Sequence, residues 1–493
     1  MKTFFIATLL TLGLVNFQAT AHKNPSCCSA LLRVEGLTVL HPADSLYDIR
    51  LDTYYSANAA GPPVCMVLPG TTEDVANIAR ILSTRNCSFG VRSGAHSAFN
   101  GSNGLEGGIT VDFGYMNSTT YDPSTRIASV QPGSNWGDVY SALNTFGVTA
   151  VGGRASVVGV GGFTTGGGYS FHTGTHGFAC DSVVNFEVVL ASGTVVNANR
   201  HENAELWRAL KGGSGNFGFV TKFDITVISP NKIWGGITTY ESSKKDEVVG
   251  AYTNFVNNNG DTASQAILTL LYGQRGFSLV AVLTNSQAQS TAPAFDEFAG
   301  ITNVSSTARI GTMAEMVPEF TGPTPLGLYA NWVTGTTSHE EHIVEFITKA
   351  ATEYARKMQL AAPSSRIELL TQLQPVTQSM LDPAIERGGN VLGLERVVKE
   401  GPALMWLLSL TTETAEIQKL TLPLLFELKN VINQYADSTG VQKNWEFLNY
   451  SGLGQNPILH YGQENVEFLR NVSKKYDPAG VFQHSRQTGF HIQ

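Results

Sequence analysis

Val91-Arg92-Ser93-Gly94-Ala95-His96-Ser97 is a turn of small residues that follows an apolar run and carries a single histidine. A strand that ends in small residues leaves several backbone N–H groups uncovered, and such a turn can cradle a diphosphate. Its spacing is neither the G-x-G-x-x-G of a dinucleotide fold nor a Walker loop. Just upstream, Cys65-Met66-Val67-Leu68-Pro69 reads as a strand. Thr72-Glu73-Asp74 then opens a helix running to about Arg85, with Thr72 as N-cap and acids in the first turn, and Ser88 to Arg92 is the next strand. Strand, helix, strand is an α/β pattern.

Downstream, two more glycine-rich loops follow. The first is Gly152-Gly153-Arg154-Ala155-Ser156-Val157-Val158-Gly159-Val160-Gly161-Gly162-Phe163-Thr164-Thr165-Gly166-Gly167-Gly168-Tyr169. That density of glycine lets a flat ring or a phosphate lie against backbone, and the interleaved Val and Tyr are foreign to a flexible linker. The second loop, Gly212-Gly213-Ser214-Gly215-Asn216-Phe217-Gly218, follows a helix that ends at Lys211. Strands are expected at Ile109–Asp112, Ile127–Val130, Phe186–Leu190 and Gly218–Ile228.

Taken in order, these loops resemble the FAD-binding domain of the vanillyl-alcohol-oxidase (PCMH-type) superfamily. They look most like fungal berberine-bridge-enzyme-like, FAD-linked oxidoreductases. Pro132-Gly133-Ser134-Asn135-Trp136-Gly137-Asp138-Val139-Tyr140, Cys180-Asp181-Ser182-Val183, Asn449-Tyr450 and Asp477-Pro478 extend the resemblance over nearly the whole chain. It implies an α+β fold: a PCMH-type FAD-binding domain of two α/β subdomains, and an antiparallel-sheet substrate domain covered by helices. It also implies that His96 bonds through Nδ1 to the 8α-methyl of FAD, which keeps the cofactor from being lost and makes it a stronger oxidant. Cofactor contacts are implied at Arg92, Ser93, Gly94, Ala95 and Ser97 in the first loop. In the second they are implied at Val157, Gly159, Gly161, Gly162, Thr164, Gly167 and Gly168, and after the third at Gly218 and Val220.

Two positions depart from the family pattern. Where bicovalent members carry a second flavin-linked cysteine, this chain has Ala155, so a single covalent link is expected. The usual second glycine of the first loop is Ala95, which the turn tolerates if φ is negative there. Tyr450 matches the tyrosine commonly given the role of catalytic base, although nothing in the sequence shows what would activate it. His172, His176, His460 and Tyr461 match no catalytic position. The i, i+4 pair His172/His176 is a poor metal site because Gly174 and Gly177 interrupt the helix; no metal is expected. Val158 stands where a small aliphatic side chain lets O2 reach the flavin, which favours an oxidase.

The implied activity is hydride transfer from a small organic substrate to FAD, with O2 as acceptor and H2O2 as product. It would serve fungal secondary metabolism, with ring closure as one outcome of the oxidation. Two other readings are a secreted carbohydrate oxidase, disfavoured by the missing second link, and a catalytically silent binding protein of the same fold.

The 493-residue length exceeds one ordinary core. Residues 60–230 are assigned to the FAD domain, 231–440 to the substrate domain and 441–493 to a segment returning to the FAD domain. Within the substrate domain, Ser264–Tyr272 and Phe277–Thr284 read as long strands, and His339–Met358 and Glu413–Tyr435 as amphipathic helices. The net charge of −8 argues against nucleic acid and anionic membranes as partners, and a monomer is expected. Lys2, the apolar stretch Phe4–Val15 and Ala19-Thr20-Ala21 read as a secretory signal peptide spanning residues 1–21. Sequons at Asn86, Asn100, Asn117, Asn303 and Asn471 agree with secretion; Asn449, in the segment assigned to the active site, is expected to stay unmodified. Secretion permits disulfides. Adjacent cysteines rarely pair, so Cys27 and Cys28 are each expected to reach out, one to Cys65 and one to Cys87, leaving Cys180 as a buried thiol.

Overall fold

The computed structural model describes residues 24–274, 276–321 and 326–492, so the signal-peptide assignment lies outside the described residues. Three sheets organise the chain.

The first has the order Thr38–Leu40, Cys65–Leu68, Ile109–Asp112, Phe89–Arg92. The last three strands of that order are mutually parallel and the Thr38–Leu40 edge is antiparallel. The helix Thr72–Arg85 makes the crossover and buries Val75, Ala76, Ile78, Ala79 and Leu82, a stripe at helical spacing. Its N-cap is Thr71 rather than Thr72. The Thr71 hydroxyl accepts from Asp74 N and the Asp74 carboxylate accepts from Thr71 N, while the Thr72 hydroxyl donates to Glu187 at 2.8 Å. Disulfides Cys27–Cys87 and Cys28–Cys65 fasten the helix Asn24–Leu31 to this layer. The layer therefore begins well before residue 60: the staples bring the earlier chain into its core. Cys180 is buried and free, and burial pushes its thiol pKa up.

The second sheet runs Thr119–Asp122, Ile127–Val130, Phe219–Ile228, Val183–Val189, Val195–Asn199, with Thr149–Ala150 on the end of the long strand. All its pairings are antiparallel. The links Asp122 to Ile127 and Val189 to Val195 are far too short for a parallel crossover, so hairpins replace the expected α/β alternation here.

The third sheet is antiparallel and nine-stranded, from Lys232–Tyr240 through Gln442–Lys443. Helices Lys245–Asn258, Glu341–Ala361 and Ala415–Ser438 cover one face. Strand alternation sorts its side chains: Leu404, Trp406, Leu408 and Leu410 join the helix-side core, and the intervening residues point the other way. The last segment packs against both earlier layers. Gln463–Tyr476 packs on Ala204–Leu210, and Val481 and Phe482 enter the core of the first sheet. Among the described residues no helix is long and apolar enough to cross a membrane.

Candidate active site

The bare face of the third sheet and the three glycine-rich loops enclose a cavity of about 440 Å³. Ser93, Gly94, Ala95, His96 and Ser97 line it, as do Gly159, Gly161, Gly162, Gly218, Val220 and Tyr450. Two loops meet backbone to backbone: a Cβ on Gly94 would lie 2.5 Å from Gly159 Cα. By contrast, a Cβ on Gly162 or Gly215 would meet nothing within 4 Å, so their bare backbone faces open space.

Five of the expected contacts are not in the cavity wall. Arg92 is buried at the strand end. It donates to Arg50 O at 2.6 Å and Thr53 Oγ1 at 2.5 Å, lies 3.5 Å from the Asp112 carboxylate and sits over the Tyr54 ring. Its job is to close the first sheet. Thr164 is buried within the helix Val160–Thr165. Val157 is displaced by its neighbour Val158, which does line the cavity. Gly167 and Gly168 act at one remove: both have positive φ, and Gly168 N donates to Asn449 Oδ1 at 3.0 Å. Ala95 also departs from expectation, because its φ is +52 rather than negative. Packing of its buried methyl against Tyr54 and Ala59 holds it there, against a left-handed penalty of about 1 kcal/mol.

His96 is half-buried in the cavity wall, and desolvation lowers its pKa to about 4, so its imidazole is neutral with a lone pair available. Tyr55 stacks on it with centroids 4.1 Å apart, and Trp332 meets both rings at an edge. Burial pushes the Tyr55 phenol up to about 12.

Tyr450 is presented by the short helical turn Leu448–Tyr450. Asn449 anchors that turn, accepting from Gly168 N and donating to Gly162 O at 3.2 Å. The Tyr450 hydroxyl oxygen accepts from Arg154 Nη2 at 2.5 Å and from Gln374 Nε2 at 3.2 Å. Arg154 itself lies over the Tyr169 ring, 4.5 Å from its centroid. A cationic donor on that oxygen stabilises negative charge when the hydroxyl proton is lost. The side chain that meets the Tyr450 oxygen is thus an arginine from the glycine-rich stretch. The other family-linked residue, Ala155, sits in the cavity wall and offers only a methyl.

His172 and His176 lie off the cavity, ring centroids 5.9 Å apart. A helical turn, Thr173–His176, does form through Gly174 and stops at Gly177. Tyr461 donates to Gly212 O, and His460 lies 3.2 Å from Glu446.

Sequence reasoning missed Tyr55, Arg154, Trp332, Gln372, Gln374 and Arg486. Only one signal was available for the glutamines: polar residues at alternate positions in an otherwise apolar strand, Ile367–Val376. Tyr55 and Trp332 carry no motif.

Among the described residues the wall contains two arginines and no aspartate or glutamate, and it buries Ser102 Oγ, Asn103 Oδ1 and Arg154 Nη1 without protein partners. An elongated ligand with a flat ring and anionic groups suits it, and FAD is such a molecule. Residues 63–199 match the family profile described as FAD binding domain. The FAD-dependent monooxygenase sdcF of Emericella nidulans is 36% identical over 473 residues, covering 94% of this chain and 98% of the relative. Among solved structures, the glucooligosaccharide oxidase of Acremonium strictum, which carries 6-S-cysteinyl, 8α-N1-histidyl FAD, superposes with a TM-score of 0.76 at 19% identity. It covers 95% of this chain and 99% of that one. Berberine bridge enzyme in complex with (S)-reticuline gives 0.72 at 17% identity, covering 95% and 99%. The chain is a FAD-dependent oxidoreductase that belongs to the family of its fungal FAD-dependent monooxygenase relatives and has the fold of berberine bridge enzyme.

Proposed function

We propose that this chain is a secreted oxidase of fungal secondary metabolism, oxidising a small, largely apolar organic molecule. The observation that carries the reading is the Tyr450 hydroxyl in the cavity wall under two donors, Arg154 and Gln374. His96 would hold FAD through one bond, and the bound flavin would supply hydride acceptance, with O2 as final acceptor and H2O2 as product. Tyr450, entering as its phenolate, would accept the substrate hydroxyl proton at Oη, becoming the neutral phenol. Arg154 carries the balancing charge and Gln374 fixes the direction of the hydroxyl. Neutral His96 has the free nitrogen that a covalent bond requires, and Ala155 has no thiol for a second one. Val158 leaves room beside the glycines for O2. The two disulfides support secretion.

The substrate end is built from Ile267, Val282, Leu370 and Leu407 with several aromatic rings, and its described residues include no carboxylate. Sugars are bound through dense hydrogen bonds to polar and acidic groups, so this lining disfavours the carbohydrate-oxidase reading. The sdcF relative favours a second reading, monooxygenation, by its name.

Digestion of the denatured protein followed by mass analysis tests the link: flavin should remain on the peptide containing His96. A colourless denatured chain, or flavin on another peptide, would overturn it. Anaerobic substrate should bleach the yellow protein, which excludes a silent binding protein. Air should then return one H2O2 per turnover. Label from ¹⁸O2 in the product, without H2O2, would establish the monooxygenase instead.

A further inference from the structure

The two arginines of the cavity wall serve different ends of it. Arg154 belongs to Tyr450. Arg486 belongs to the C-terminal arm, and its surroundings place it beside the first loop. Phe89 bridges to Arg486, Gln487 N donates to Phe89 O at 2.9 Å, and Val91 N donates to Thr488 Oγ1 at 3.3 Å. The arm thus runs along the strand whose end is the Ser93–Ser97 turn. On its other side, Arg486 Nη2 donates to Asn216 Oδ1 at 2.8 Å, inside the third glycine-rich loop.

Arg486 is only 4% exposed, and every one of its acceptors is neutral. Nε donates to Phe482 O, Nη1 to Thr488 O, and Nη2 to Asn216, to Phe490 O and to the His491 ring nitrogen. No described carboxylate forms an ion pair with it. Burial alone lowers its pKa to about 9, with no acid offsetting the shift. An uncompensated buried guanidinium is costly, and such groups are normally paired with an anion. Ser102 Oγ and Asn103 Oδ1, in the same wall, also have no protein partner. The cluster is complete except for an anionic ligand that also brings hydrogen-bonding atoms.

We propose that Arg486 is the charge partner of the FAD diphosphate, so that the C-terminal arm Arg486–Phe490 clamps the nucleotide half of the cofactor between the first and third loops. The inference rests on the FAD reading but concerns a residue outside all three loops. It predicts selectivity among flavins. FAD carries the diphosphate and riboflavin carries none, so only FAD should sense the charge at residue 486.

The test measures binding of FAD and of riboflavin by fluorescence quenching, on cofactor-free protein carrying His96→Ala so that the flavin exchanges. Adding Arg486→Gln keeps a hydrogen-bond donor and removes the charge. FAD binding should weaken about ten- to a hundredfold, the usual worth of a charge-assisted contact. Riboflavin binding should stay within about twofold, and Arg486→Lys should recover most of the FAD affinity. Raising the salt should narrow the gap between the parent protein and the Arg486→Gln variant. Equal losses for FAD and riboflavin would make Arg486 a mere structural clamp and overturn the proposal, as would unchanged FAD binding. If the Arg486→Gln variant does not fold, the comparison of FAD with riboflavin at rising salt on the parent protein decides: a salt-insensitive ratio overturns the proposal. Failure of the FAD reading itself looks different, since the His96→Ala parent would then bind neither flavin.

Discussion

At the scale of single residues, the proposed function has Arg154 set what Tyr450 can do. The guanidinium bonds directly to the phenolic oxygen, so the pair should act as a unit. Tyr450→Phe removes the proton acceptor and should lower kcat by about 10²- to 10⁴-fold, the range for general-base removal, with flavin content unchanged. Arg154→Gln should lower kcat by about ten- to a hundredfold, with KM nearly constant and partial recovery in Arg154→Lys. Steady-state kinetics check both, and an Arg154→Gln enzyme altered only in KM would contradict the assignment. His96, Tyr450 and Ala155, singled out by the family resemblance, all line the cavity. Arg154 was in plain view within the glycine stretch, but its meaning depends on a contact across 296 residues of chain. The misjudged φ of Ala95 has the same origin. The local sequence favours negative φ, and only tertiary packing of the methyl against Tyr54 and Ala59 reverses it.

At the scale of elements, short-range signals were legible and pairing direction less so. The helix Thr72–Arg85 and the long strands of the third sheet follow from their periodicity. The second sheet's antiparallel hairpins follow from link lengths that the alternating pattern had obscured. Which face of a strand is buried was predictable, but the object it faces was not, so Gln372 and Gln374 went unnoticed. The contact of the glycine loops yields a clear expectation. A methyl at Gly159 would lie 2.3 Å from Gly94 N, so Gly159→Ala should force the loops apart. Purified Gly159→Ala protein should lose most of its bound flavin, as judged by the ratio of visible to ultraviolet absorbance. The disulfides staple the N-terminal helix to the same layer. Removing Cys28–Cys65, which spans 37 residues, with a double Cys→Ser change should cost about 2–5 kcal/mol. Thermal unfolding would show it, and an unchanged Tm would mean that the layer holds its N-terminal helix without the staple.

At the scale of the whole molecule, the chain buries several imidazoles that do not belong to the cavity, and these tie its stability to pH. His172 is 1% exposed, both its ring nitrogens lack a protein partner, and burial lowers its pKa to about 3. His339 is 4% exposed and is lowered to about 4, again chiefly by burial. In the unfolded chain both titrate near 6.5. Between the two values the unfolded state binds more protons than the folded one, so stability rises with pH across that window and is lost as pH falls below about 6.5. Each group contributes a slope of about 1.4 kcal/mol per pH unit once the unfolded form is protonated. Carboxylates held down by cations, such as Glu205 beside Lys475, act with the same sign, but only at lower pH, from the ordinary glutamate value down to about 2. The interval from pH 6.5 to 5 therefore isolates the histidines. Urea unfolding at pH 7, 6 and 5 should show a steepening loss of stability, and His172→Leu should remove about a quarter of the slope, since His96, His339 and His491 are lowered in the same way. A flat profile from pH 7 to 5 would mean that both rings take up protons in the folded state, contrary to their burial.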